Sequence, residues 1–198
     1  MTTRATLLER LLDPEGVVVF DGAMGTNLQL QGLDAEDFGG QELEGCNEVL
    51  LVTNPGAVER VHRAFLDVGV DVIQTDTFGA FSTVLAEYGI AERAHELNVA
   101  GARLARRLAD EAAADGRPRW VAGSMGPGTK FPTLGQIPYA TLRDAYEEQA
   151  RGLLEGGVDL LLIETVFDLL SAKAAINGCR RAMVAVGRRV PIQTQVTI

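Results

Sequence analysis

Long hydrophobic runs are absent from this sequence, and so are dense clusters of basic residues. A helix that crosses a membrane needs about 20 predominantly apolar residues, and no stretch reaches that length. Lysine and arginine together number 18 against 27 aspartates and glutamates, for a net charge of −9. Nucleic acids and anionic membranes are bound by concentrated positive patches, so both are excluded as partners. A small molecule is the better expectation.

Cysteine and histidine are also scarce, with two residues of each. Cys46 and Cys179 lie far apart and match no metal-binding spacing. Unpaired thiols are typical of a reducing compartment, and the N-terminal stretch MTTRATLLERLLDPEG indicates a short amphipathic helix rather than a signal peptide. We therefore predict a cytoplasmic protein. His62 and His95 fall in charged helical stretches, so we expect them on outer helices or the surface and not as catalytic bases.

What the chain does contain is an alternation of short apolar segments with helical stretches. Asn54 followed by Pro55 is typical of a helix start, and glycines such as Gly116 and Gly187 stand where helices usually end. Strands joined by helices favour parallel pairing, so we predict one domain over residues 1–198. The predicted strands are Val17–Phe20, Val70–Thr75, Trp120–Ser124, Val158–Glu164 and Pro191–Ile198.

Two architectures fit this alternation, an open doubly wound sheet and a barrel. The first segment ends in DGAMGT, which lacks the G-x-G-x-x-G spacing of a dinucleotide site, so the open sheet is disfavoured. Polar and glycine-containing motifs follow the first four strands, and barrel ligands gather at that end of the strands. We predict an α/β fold, a (β/α)8 TIM-like barrel of which this chain supplies about the first five strands. A whole barrel has about 250 residues, so we expect the chain to be truncated after its fifth strand.

Four motifs in this order resemble one family. DGAMGTNLQ, QTDTFGAF, VAGSMGP and LLIETVFDLLSAKAA are similar to the zinc-dependent homocysteine S-methyltransferases, above all to the homocysteine-binding domain of the cobalamin-dependent methionine synthases. The resemblance implies a barrel in which three cysteine thiolates hold zinc and zinc holds the homocysteine thiolate for methylation. In that branch methylcobalamin donates the methyl group and methyltetrahydrofolate reloads it, so cobalamin- and folate-binding domains are implied partners.

The resemblance also implies which residues bind homocysteine. Glu164 matches the glutamate expected to accept from the ammonium group, and the backbone amides of Gly22 and Ala23 suit the carboxylate because a turn of small residues admits an anion closely. Asp21 would orient that turn and add to the ammonium site. Zinc ligands come from later strands in similar enzymes, so we expect them beyond Ile198 and expect no metal ligand or catalytic residue within the chain. The remaining candidates for substrate binding are Asp76, Thr77 and Ser124.

Three alternatives remain open at this stage. The methyl donor could be betaine or S-methylmethionine instead of methylcobalamin. The chain could be a non-catalytic fragment that needs the missing half, in which case unpaired strand edges and exposed apolar surface predict self-association. A different barrel enzyme, a lyase or an isomerase, could use Asp21 and Glu164 as acid and base. The absence of a lysine or histidine at a strand end disfavours that third alternative.

Overall fold

A parallel sheet flanked by helices organises the part of the chain that the structure describes. The computed structural model describes residues 6–197, so Met1–Ala5 of the predicted N-terminal helix and Ile198 of the last predicted strand lie outside it. The strands are β1 (Val72–Gln74), β2 (Trp120–Met125), β3 (Leu160–Val166) and β4 (Ile192–Val196). The α-helices are α1 (Leu7–Leu11), α2 (Met24–Gln29), α3 (Leu50–Thr53), α4 (Pro55–Asp67), α5 (Ser82–Leu85), α6 (Ala94–Ala112), α7 (Tyr139–Gly156) and α8 (Leu169–Val186). Short 3₁₀ turns cover Gln41–Leu43, Asn47–Val49, Ala86–Tyr88, Ala91–Arg93, Ala113–Asp115 and Pro132–Leu134.

The four strands lie side by side in chain order, and every neighbouring pair is parallel. Ile73 pairs with Val121 in β1 and β2, and Gly123 pairs with Leu161 in β2 and β3. Parallel neighbours must be joined by crossovers, and helices separate each strand from the next along the chain. The predicted α/β fold with parallel pairing is therefore confirmed.

The predicted first strand, Val17–Phe20, is wrong as a full strand. Only Phe20 forms a bridge, to Val72 of β1. One residue earlier, the amide of Val19 donates to the side-chain carboxylate of Asp71 at 2.9 Å, a group that stands in for a backbone carbonyl. The Val19 side chain is 48% exposed. The segment therefore follows β1 without forming a regular ladder.

Helix boundaries follow the local signals in the sequence. The helix α4 begins with Pro55 directly after Asn54, as predicted. Gly157 and Gly187 end α7 and α8 with φ angles of 103° and 71°, a left-handed conformation that glycine adopts without a Cβ clash. Within residues 6–197, no helix combines the length and apolar character needed to span a bilayer.

The two faces of the sheet carry different packing. Ile73, Val121 and Leu161 belong to the large core cluster that includes α6, α7 and α8. The alternate residues point to the opposite, concave face, because side chains alternate along a strand. A smaller apolar cluster fills this face and includes Leu7 of α1; its other buried members are Val72, Trp120, Ala122, Leu160 and Leu162. The next residues along these same rows are Gln74, Ser124 and Glu164, so the concave face turns polar at the carboxyl ends of the strands.

The close contact between α7 and α8 depends on Gly178. A Cβ at this position would lie 2.7 Å from the carbonyl oxygen of Arg143 and 2.8 Å from the amide nitrogen of Glu147, both backbone atoms of α7. We expect Gly178→Ala to lower the free energy of unfolding by about 1–3 kcal/mol, because the helices must move apart. Chemical denaturation measures this.

Gly56 provides the matched control for Gly178. It also lies in a helix, and an added Cβ would meet only side-chain atoms at 3.5 Å or more. Gly56→Ala should raise the free energy of unfolding by up to about 1 kcal/mol through helix propensity. Equal effects of the two substitutions would show that the backbone contact does not limit the packing of α7 on α8.

Candidate functional site

A cavity of about 450 Å³ opens at the carboxyl ends of the strands. The polar residues that continue the concave rows form one wall, and the turn after Phe20 forms another. Met24 and Phe78 add apolar surface beside these polar groups. The lining consists of Gly22, Ala23, Met24, Gly25, Asn47, Glu48, Gln74, Thr75, Asp76, Phe78, Ser124 and Glu164. Five of the seven predicted site residues are therefore in the wall, and Asp21 and Thr77 lie behind it.

Asp21 is held by a single neighbour, Gln74 of β1. The backbone amide of Gln74 donates to both carboxylate oxygens of Asp21, at 3.1 and 3.0 Å, and its side-chain Nε2 donates to Oδ1 at 3.0 Å. Burial nevertheless raises the pKa of Asp21 to about 7, against the opposing effect of these bonds, and nearby Glu164 raises it further. Gln74 therefore fixes the orientation of a carboxyl group that titrates near neutrality.

The turn after Asp21 presents free backbone donors. Gly22 and Ala23 are exposed and line the cavity. Neither amide donates a hydrogen bond to another of residues 6–197. Two adjacent unpaired N–H groups at a cavity wall can bind an anionic oxygen.

Glu164 continues the row of Leu160 and Leu162 and reaches the cavity from β3. Its Oε1 accepts from the hydroxyl of Ser124 at 2.6 Å. Within residues 6–197 no cationic side chain forms a salt bridge with it; Arg143, for example, pairs with Asp144. Burial raises the pKa of Glu164, and the bond from Ser124 only partly opposes that shift. A cation entering the cavity would therefore meet an uncompensated carboxyl group.

The backbone beside Glu164 is strained. Thr165 has a φ of 59°, and the pairing register shifts between Ile163 and Val166. A β-branched residue rarely adopts a positive φ, and such a bulge at a strand end redirects the neighbouring side chain. The irregular backbone therefore sets the direction in which Glu164 points.

Relief of this strain gives a testable result. Asn tolerates the left-handed region, so we expect Thr165→Asn to raise the free energy of unfolding by about 1 kcal/mol. The Thr165 side chain is exposed, so its removal should cost little. Thr165→Val keeps the β-branch and should give no gain. Chemical denaturation of both variants would refute the strain if valine stabilised as much as asparagine.

Thr77 serves the fold rather than the cavity surface. Its hydroxyl donates to the carbonyl of Ser124 at 2.8 Å and lies 2.6 Å from the hydroxyl of Thr75. The backbone amide of Ser124 donates in turn to Thr75 at 3.0 Å. Gln149 of α7 donates to the carbonyl of Thr77 at 2.7 Å. This network connects the end of β1 to the end of β2 and holds Ser124 under Glu164.

Seven wall residues are outside the predicted set, and two of these, Gln74 and Glu48, hold other parts of the site by hydrogen bonds. Gln74 lies two positions after Val72, so strand alternation could have placed it on the concave face. Glu48 comes from the turn before α3, and its carboxylate accepts from the amide of Gly79 at 2.7 Å and from the Cys46 thiol at 3.7 Å. No local signal marks Glu48, because only the tertiary fold brings that turn to the end of β1.

The described residues do not fit a zinc ion. Within residues 6–197 no three histidine, cysteine, aspartate or glutamate side chains are grouped to hold a metal. Cys46 and Cys179 lie in separate core clusters, and burial raises the pKa of each thiol to about 12. His62 is fully buried in α4, and His95 pairs with Glu155 at 3.0 Å, so neither reaches the cavity.

Comparison with known proteins places the chain in a family. Residues 18–198 match the model of the family described as Homocysteine S-methyltransferase. The chain is 50% identical to the methionine synthase of Mycobacterium tuberculosis over 182 residues, which are 92% of this chain and 15% of that protein. It is 48% identical to the methionine synthase of Mycobacterium leprae over 192 residues, 97% of this chain and 16% of that protein. The chain thus spans about one sixth of these relatives.

Solved structures share the fold. The metallated form of the homocysteine methyltransferase MmuM from Escherichia coli superposes with a TM-score of 0.71 at 22% identity, covering 93% of this chain and 64% of that one. Its apo form gives a TM-score of 0.69 at 22% identity, with 96% and 63% covered. The family match over residues 18–198 shows that the chain belongs to the homocysteine S-methyltransferase family.

Proposed function

We propose that this chain forms the homocysteine-positioning part of a (β/α)8 barrel that transfers a methyl group to the homocysteine thiolate and so forms methionine. The observation that carries the proposal is the composition of the cavity wall. Glu164 lies in this wall with Asp21 directly behind it, and no basic residue is in the wall formed by the described residues. The unpaired amides of Gly22 and Ala23 lie in the same wall.

This arrangement suits the two charged groups of an amino acid. The ammonium group donates to the carboxylates of Glu164 and Asp21, and its positive charge favours their ionised forms. The carboxylate accepts from the amides of Gly22 and Ala23. Each contact is charge-assisted, and fixing both ends of the amino acid fixes the direction in which its thiol side chain extends.

The remainder of the proposed site lies outside this chain. The groove of about 520 Å³ between α8 and β4 is lined mainly by apolar atoms, including those of Val184, Val190 and Ile192. Val184 and Val196 are 79% and 58% exposed, as expected where further strands and helices of a barrel would pack. We place the boundary of residues 1–198 within the barrel, and we place the zinc ligands beyond Ile198. Zinc, when bound there, would lower the pKa of the homocysteine thiol and so keep it as a thiolate at neutral pH.

We propose methylcobalamin as the methyl donor. Similarity to two methionine synthases supports methylcobalamin, reloaded from methyltetrahydrofolate, with cobalamin- and folate-binding domains as partners. Betaine and S-methylmethionine are the second choice. Two buried free thiols, Cys46 and Cys179, support the cytoplasm as the compartment.

Calorimetric titration of homocysteine, with and without zinc, tests the proposal. It is applied to this chain and to the completed barrel, meaning this chain continued through the remaining strands. Zinc-dependent binding is expected in the completed barrel only, and methionine should form from methylcobalamin but not from betaine or S-methylmethionine. A folded completed barrel that binds no homocysteine would contradict the proposal and favour acid–base chemistry by Asp21 and Glu164.

A further inference from the structure

Asp76 differs from the other carboxyl groups of the site. It lies two residues beyond β1, is 5% exposed and lines the cavity. Its Oδ2 is buried with no hydrogen-bond partner among residues 6–197. Asp21 and Glu164, by contrast, accept bonds from Gln74 and Ser124. A buried polar atom without a partner is rare in folded proteins, and at a cavity wall it indicates a ligand contact.

The charges around Asp76 disfavour its ionised form. Glu48 and Cys46 face it from the turn before α3, and Glu164 lines the same cavity with Asp21 close to it. No lysine, arginine or histidine is in the wall that the described residues form. Burial, followed by the Glu48 carboxylate, raises the pKa of Asp76 well above its usual value. Among the described residues, an ionised Asp76 would have no donor to its Oδ2 and no salt bridge to stabilise it.

We propose that Asp76 enters the site as a neutral carboxylic acid and donates its O–H to an acceptor atom of the bound substrate. This inference rests on the proposed function, and it assigns Asp76 a role opposite to that of Asp21 and Glu164, which accept from the substrate. The acceptor atom is a carboxylate oxygen or the sulfur, since these are the acceptors that a thiol amino acid carries. A neutral donor also adds no further negative charge to a wall that already holds Glu48 and Glu164, with Asp21 behind it.

Two substitutions at Asp76 separate a donor from a charged acceptor. Asp76→Leu has similar volume and no polar atom, so the completed barrel should lose about tenfold or more in homocysteine affinity by calorimetry. Asp76→Asn keeps a neutral donor and should restore most of that loss. If Asp76 instead accepts from the ammonium group as a carboxylate, asparagine will lose as much affinity as leucine. That result, or a leucine variant that binds as the unsubstituted protein does, overturns the inference.

Substrate analogues identify the acceptor. The effect of Asp76→Leu should persist with 2-aminobutyrate if the acceptor is the carboxylate, and with 3-aminopropane-1-thiol if it is the sulfur. Persistence with one analogue supports the inference. If the effect of Asp76→Leu persists with both analogues, neither the carboxylate nor the sulfur is needed for it. Asp76 would then donate to no acceptor of the substrate, and the inference would fail.

Infrared spectroscopy tests the protonation state without any ligand. At neutral pH, the difference spectrum between the completed barrel and its Asp76→Asn variant should contain the carbonyl band of a protonated carboxylic acid. A carboxylate band in its place overturns the inference even if Asp76→Leu fails to fold. The test also separates the two proposals: a completed barrel that binds no homocysteine refutes the proposed function, while the infrared band still reports on Asp76.

Discussion

Replacing Glu164 by glutamine is expected to weaken homocysteine binding to the completed barrel by at least about thirtyfold. Glutamine keeps the size of the side chain and its bond with Ser124, which is 2.6 Å long, but it removes the negative charge. Loss of one partner from a desolvated charge pair costs about 2–5 kcal/mol, and 2 kcal/mol corresponds to about thirtyfold in affinity. Calorimetric titration at pH 8, where competition from protons is smallest, measures the change.

Glu155 offers a matched control for Glu164. It is a glutamate at the surface, paired with His95, and it lies outside the cavity. Glu155→Gln should leave the affinity for homocysteine unchanged. If Glu164→Gln also binds as tightly as the unsubstituted protein, Glu164 does not hold the ammonium group, and the substrate must lie elsewhere in the barrel.

The stability of the ligand-free completed barrel should fall as the pH rises from about 4 to about 7. Burial raises the pKa of Asp21 from 3.8 to about 7 in the folded state. A raised folded-state pKa means that the contribution to stability is fully present below the unfolded-state value and is lost as the pH rises through the folded-state value. A shift of about three pKa units corresponds to about 4 kcal/mol. The raised pKa values of Glu164 and Asp76 act in the same direction.

Asp21→Asn isolates the part that Asp21 contributes to this pH dependence. The variant should show a shallower decline in the free energy of unfolding between pH 4 and pH 7, measured by urea denaturation at each pH. The slope is the informative quantity, because asparagine also changes the hydrogen bonds with Gln74 and so shifts stability at every pH. Parallel curves for the two proteins would show that the Asp21 pKa is not raised in the folded state.

Homocysteine should reverse much of this loss above pH 7. Its ammonium group supplies the positive charge that the cavity wall lacks, so binding favours the ionised forms of Asp21 and Glu164. The ligand-free protein is thus less stable at neutral pH than it would be without these buried carboxyl groups. Binding residues are often kept at such a cost in stability, because the same unpaired charges provide the affinity.

Local patterns were sufficient to predict most of the framework. Asn54 and Pro55 start a helix and Gly157 and Gly187 end helices because these residues act through their own backbone geometry. The parallel order of the sheet followed from alternation of strands and helices. The predicted strand Val17–Phe20 was wrong because the amide of Val19 donates to a side chain instead of a backbone carbonyl. That side chain belongs to Asp71, which lies far away in the sequence.

The site was only partly predictable for a related reason. Glu164 and Ser124 end the predicted apolar strands and lie near the carboxyl ends of β3 and β2, so their place at the cavity follows from strand direction. Glu48 reaches the same cavity from a turn whose position depends on packing across the whole domain. The positive φ of Thr165 depends on the register shift in β3, which no residue pattern in the strand indicates.

A crystal structure of the completed barrel with homocysteine tests the central claim most directly. The expected structure has the ammonium nitrogen about 3 Å from the carboxylate of Glu164 and beside Asp21, with the substrate carboxylate on the amides of Gly22 and Ala23. Homocysteine held at its amino-acid end only by residues beyond Ile198 would contradict the claim that this chain positions the substrate.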